Sequence, residues 1–70
     1  GFDRAGVAYV AEDRAGTLAI SRSGAAFGND EGLEAKRAGE AFCAGAGRRL
    51  NPAAYGHYVS GAWLFKGGCA

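Results

Sequence analysis

Methionine is absent, proline and histidine occur once each, and the two cysteines, Cys43 and Cys69, form no CxxC pair. That cysteine arithmetic allows one disulfide and argues against zinc-finger and thioredoxin-type readings, which need paired thiols at short spacing. A single histidine, His57, leaves one candidate base for acyl transfer. No apolar run approaches the roughly 18–20 residues needed to span a bilayer, and the opening Gly-Phe-Asp-Arg-Ala-Gly carries no secretory signal. With Gly1 first and no methionine, the expectation is a processed or trimmed chain whose leader, lipid-anchored or not, has been removed. Charge of one sign is lacking too: eight basic against seven acidic residues give a net charge of +1, which implies neither nucleic acid nor an anionic membrane. GxxxxGK[ST] and GxGxxG patterns are missing, so Gly24 to Gly28 reads as a flexible connection and not as a phosphate cradle.

What is present is small and apolar. Seventy residues make one domain, 1–70, with residues 1–5 expected to be disordered. Such a chain buries only about 60% of the surface it exposes when unfolded, so a staple is expected. Glycine and alanine fill 29 positions and arginine outnumbers lysine, a mix typical of GC-rich bacterial genomes.

Two β-rich runs, Val7 to Glu12 and Thr17 to Arg22, flank the polar link Asp13-Arg14-Ala15-Gly16 and read as a hairpin. With Glu12 opposite Thr17, Tyr9 faces Ile20 and Ala11 faces Leu18, all on one side. Asn29 or Asp30 is the expected N-cap of a helix over 31–46, with Asp30, Glu31 and Glu34 complementing its positive end. At 100° per residue, Ala35, Ala38, Gly39, Phe42 and Ala46 form one stripe, with Cys43 at its edge. Leu33 falls off the stripe and is expected to cover a helix end against Phe27. Gly45 or Gly47 is the expected stop.

After the turn at Asn51-Pro52, a second hairpin pairs Val59 with Ala62, Tyr58 with Trp63 and Gly56 with Phe65 around Ser60-Gly61. Tyr58, Trp63 and Phe65 then share a face, which Cys69 joins if the strand continues in phase. Two independent periodicities thus bring Cys43 and Cys69 to one interface. A bridge between them contributes about 3.5 kcal/mol by loop-closure entropy. The fold class is α+β: β-β-α-β-β, an antiparallel sheet of two hairpins with one helix on one face and one disulfide. Its expected core is Ala35, Ala38, Phe42 and Ala46 from the helix, with Tyr9, Leu18, Ile20, Tyr58, Trp63 and Phe65 from the sheet.

Ala41-Phe42-Cys43-Ala44, the following Gly45 or Gly47, Arg48, and then Phe65 and Cys69 make up a pattern. It resembles small uncharacterised bacterial periplasmic proteins and lipoproteins, in which a helix ending aromatic-Cys-Ala is followed by strands ending Phe-x-Cys. Phe65 lies four residues before Cys69 where that pattern has two. The resemblance covers residues 30–70 and implies an exported protein with a structural disulfide and no catalytic residue.

The chemistry-bearing residues have plain explanations. By the register above, His57 faces the outer side of the sheet, a common place for a solvated histidine. A zinc site from Cys43, Cys69 and His57 lacks a fourth ligand, and no cofactor is implied. The acidic residues sit where capping and solvation account for them. No catalytic residue is assigned. Arg48, Arg49, Tyr55 and His57 are the candidate binding residues. They suit a protein or cell-envelope partner, the alternative being single-stranded nucleic acid stacked on a basic and aromatic sheet face. A further alternative is a reduced intracellular thiol protein with redox or metal chemistry. The expected role is a non-catalytic periplasmic or secreted interaction module, and an open edge strand offers a route to a weak homodimer.

Overall fold

A computed structural model describes all residues from Gly1 to Ala70. Strands β1 (Phe2–Arg4), β2 (Val7–Arg14), β3 (Thr17–Arg22), β4 (Gly56–Val59) and β5 (Ala62–Lys66) form one antiparallel sheet, and helix α1 (Gly32–Gly45) lies between β3 and β4 in the chain. The sheet order is β1-β2-β3-β5-β4, so the last strand is inserted between its predecessors. Sheet and helix make the two layers of an α+β fold, with the β-β-α-β-β order extended by one strand at the start.

That extra strand replaces the disorder expected for residues 1–5. Phe2 pairs with Tyr9 across β1 and β2, and its ring stacks 5.5 Å from Tyr9 and lies 5.5 Å from Phe42. The β1–β2 link is Ala5-Gly6, both at positive φ (51° and 79°). Two residues of this kind match the right-handed twist of the flanking strands and close a tight hairpin. Ala15-Gly16 does the same between β2 and β3, with φ of 52° and 84°. The first hairpin is therefore longer than the sequence suggests. Arg14 and not Glu12 faces Thr17, and Ala11 and not Tyr9 faces Ile20. Because the slip is two residues, an even number, Tyr9, Ala11, Leu18 and Ile20 keep their common face. Around Ser60-Gly61 the expected register holds at Gly56–Phe65, Tyr58–Trp63 and Val59–Ala62.

The core is Tyr9, Leu18, Ile20, Phe27, Ala35, Ala38, Cys43, Leu50 and Phe65. Gly39 brings the helix close: an added Cβ there would lie 3.7 Å from Leu18 and Leu50. Cys43, at the edge of the apolar stripe, is fully buried, whereas Phe42 is half-buried and Ala46 is exposed. Leu33 does not cover Phe27 but stands 66% exposed, while Phe27 is held under Tyr9, 6.1 Å between ring centroids. Trp63 is half-buried and Tyr58 is 39% exposed, so both rim the core instead of filling it.

Neither Asn29 nor Asp30 caps the helix. Glu31 occupies that position without a side-chain cap bond. Its carboxylate instead accepts from the Gly28 N–H at 2.7 Å. At the other end Gly47, at φ 72°, donates to the Ala44 carbonyl while Arg48 N–H reaches back to Cys43, a Schellman closure. The Cys43–Cys69 bridge ties this end to the C-terminal segment. Cys69 does not arrive as a continuation of β5. Gly67 and Gly68, both at positive φ, turn the chain away, and Cys69 forms an isolated bridge with Leu50. No helix is long and apolar enough to cross a membrane.

Candidate functional site

The helix covers only the face that carries Tyr9, Leu18, Ile20, Trp63 and Phe65. Strand alternation puts the intervening residues on the opposite, uncovered face. The register aligns them in cross-strand rows. Arg14, Thr17 and Lys66 form one, Glu12, Ala19, Leu64 and His57 the next. His57 lies beside Thr17, Leu64 and Lys66 in a shallow hollow, on the side read from sequence.

The four candidate binding residues do not converge on one patch. Arg48 and Arg49 line a groove on the helix side with Lys36, Glu40 and Asn51. The Arg48 guanidinium donates to the Cys69 carbonyl at 2.5 Å, and the Arg49 and Ala70 backbones exchange two bonds at 2.6 and 3.4 Å. Both arginines thus fasten the segment that carries the disulfide. Tyr55, 78% exposed, immediately precedes β4 and shares strand parity with His57. Of the large hydrophobic residues only Leu33, Tyr55, Tyr58 and Val59 are exposed, and the last three lie on or beside β4. This strand is the outer edge of the sheet and none of its residues is buried. The aromatic and apolar concentration at that edge, and not a basic face, is the surface feature that the fold produces.

Chemistry elsewhere is committed to structure. Both sulfurs are in the disulfide, and no group of three His, Cys, Asp or Glu residues is placed to hold a metal ion. Tyr58 and Trp63 anchor the loop before the helix: the Tyr58 hydroxyl donates to the Phe27 carbonyl at 2.8 Å and the Trp63 indole to Gly28 at 3.2 Å.

The strongest polar cluster escapes the sequence reading. Arg22 sits on the helix-facing side of β3, with its guanidinium bonded to the carboxylates of Glu31 and Glu34 at 3.0 Å. It also donates to the Ala25 and Ala26 carbonyls, and it lies 4.6 Å over the Phe27 ring. The Tyr9 hydroxyl completes the set by donating to Glu34 at 2.7 Å. Arg22, then the Gly28 N–H, hold the Glu31 carboxyl below its usual range, and the same Glu31 contact raises Arg22. Burial, then the Glu34 carboxylate, push the Tyr9 phenol up. A signal was present in the sequence: Arg22 shares strand parity with Leu18 and Ile20, so it points inward and demands partners. Glu31 and Glu34, nearly one helical turn apart, supply them.

Comparison with protein-family models, with curated proteins and with solved structures finds no match to this chain.

Proposed function

We propose that this chain is a non-catalytic interaction module of a bacterial periplasmic or secreted protein, presenting its second hairpin to a protein or cell-envelope partner. One observation carries the reading: three of the four large hydrophobic residues left exposed, Tyr55, Tyr58 and Val59, cluster at the open β4 edge. An exposed apolar cluster on a small domain marks a contact surface, and tyrosine is favoured at such contacts. The disulfide supports an oxidising compartment, since such bonds persist outside the cytosol and are rare within it. His57 has Thr17, Leu64 and Lys66 for neighbours, with no carboxylate among them to orient its imidazole.

Two measurements test it. Intact mass after alkylation, with and without reduction, should show thiols reacting only after reduction when the protein is taken from its native compartment. A photo-crosslinking residue placed at Val59 should give adducts that the same residue at Arg37, on the exposed helix face, does not. Equal labelling at both positions, or none at Val59, overturns the assignment of the surface.

A further inference from the structure

The sheet has two edges, and they are built differently. The β1 edge is three residues long and carries Asp3 and Arg4, whereas β4 reads Gly56-His57-Tyr58-Val59, with no formal charge at neutral pH and no proline. Charge and brevity protect the first edge against pairing with another chain, and β4 lacks comparable protection.

The register fixes which backbone groups β4 offers. Val59 and Ala62 flank a two-residue turn and so exchange hydrogen bonds, and the pattern alternates along the pair. His57 therefore bonds inward to Leu64, and the N–H and C=O groups of Gly56 and Tyr58 point to the open side. A partner strand must meet those two residues.

We propose that the occupant is a second copy of this chain, paired β4 to β4 antiparallel about a twofold axis that passes His57. This rests on the reading of the hairpin as the contact surface and names its partner. The strand is self-complementary in that register. Gly56 falls opposite Tyr58 of the second copy, twice, which closes four backbone hydrogen bonds and sets a residue without a side chain across from a ring. On the outer face Tyr55 falls opposite Val59 of the second copy, an aromatic and β-branched pair of the kind that stabilises antiparallel strands. All three exposed apolar residues of the edge are then engaged. A slip of two residues sets Tyr58 against itself and Gly56 against Ser60, a turn residue at φ 46°, and weakens the ladder. The result is a continuous ten-stranded sheet. A single strand-on-strand contact buries less than the roughly 1,200 Å² of stable complexes, so the dimer forms at high micromolar to millimolar concentration.

The axis places each His57 directly across from its copy, on the solvent side of the sheet where substitution leaves the core intact. Sedimentation of the oxidised chain at pH 8, from micromolar to millimolar concentration, should show the mass rising from 7.1 kDa toward twice that value. His57→Lys and His57→Glu should each weaken association about tenfold, because like charges then face each other. An equimolar mixture of the two should restore it, because lysine then faces glutamate. Circular dichroism and unreactive cysteines establish that each variant is folded. A parent that stays at 7.1 kDa at millimolar concentration, variants that associate as well as the parent, or a mixture that stays monomeric would each overturn the proposal. A monomeric parent whose Val59 crosslinks to another protein would overturn the second copy alone and leave the hairpin as the contact surface.

Discussion

Replacing both cysteines, Cys43→Ala and Cys69→Ala, should remove most of the stability of this domain. The bridge joins residues separated by 26 positions, and closing a loop of that length in the unfolded chain is worth about 3.5 kcal/mol. Cys43 has no exposed surface, so deleting its sulfur leaves a void costing about 1 kcal/mol more. A 70-residue domain has roughly 5 kcal/mol in total. At about 1.4 kcal/mol per factor of ten, the entropic part alone shifts the folding equilibrium by about 2.5 powers of ten. Trp63, the sole tryptophan, is half-buried beside Gly28 and reports unfolding directly. With a urea slope near 1 kcal/mol per molar, the fluorescence midpoint should fall by about 3.5 M or more. A loss below about 1 kcal/mol would refute the reasoning, because residues 44–68 would then be held closed without the bond.

Two glycines of the helix should respond in opposite directions. Gly39→Ala adds a Cβ at ordinary contact distance, 3.7 Å from Leu18 and Leu50, so the helix-propensity gain of about 1 kcal/mol should appear as a higher Tm. Gly32→Ala puts its Cβ 2.9 Å from the Trp63 ring and should lower Tm and shift the tryptophan emission. The Arg22 cluster predicts an acid limb. Glu31 titrates lower in the folded state than in the unfolded chain, so its contribution is complete above the unfolded carboxyl pKa and is lost as pH falls through the folded value. Urea midpoints should decline through that acidic range, and Glu31→Gln should flatten the decline.

The sequence is legible where a single periodicity decides the outcome. Ser60-Gly61 sits between two alternating runs, so the β4–β5 register follows from counting. Ala15-Gly16 and Ala5-Gly6 close hairpins as well, but alanine at positive φ is uncommon and gives no local signal. For that reason the sequence gives no sign of β1 and places the end of β2 two residues early. The disulfide pairing follows in part from the helix stripe, which turns Cys43 inward, whereas the aromatic strand face would carry Cys69 there only if β5 ran on in phase, which it does not. Its actual route, through Gly67 and Gly68 to a bridge with Leu50, depends on tertiary contacts that no strand pattern encodes. In the candidate site, the outward direction of His57 follows from parity alone. That Arg48 and Arg49 secure Cys69 and Ala70 depends on where the C-terminal segment lies, which is a property of the finished fold.

The strand order also governs what happens while the chain is being made. Residues 2–22 hold three strands joined by tight turns and can assemble locally and fast. Their free edge, β3, carries Leu18 and Ile20, and its partner is β5, the last strand to be synthesised. Until residues 62–66 emerge, that edge stays unpaired and the core lacks Phe65, a state prone to sticking to other nascent chains. β5 is the keystone: its arrival seats β4 on one side and β3 on the other in the same event. A chain that stops before β5 would hold a meander and a helix around a core without Phe65, with the β3 edge still open.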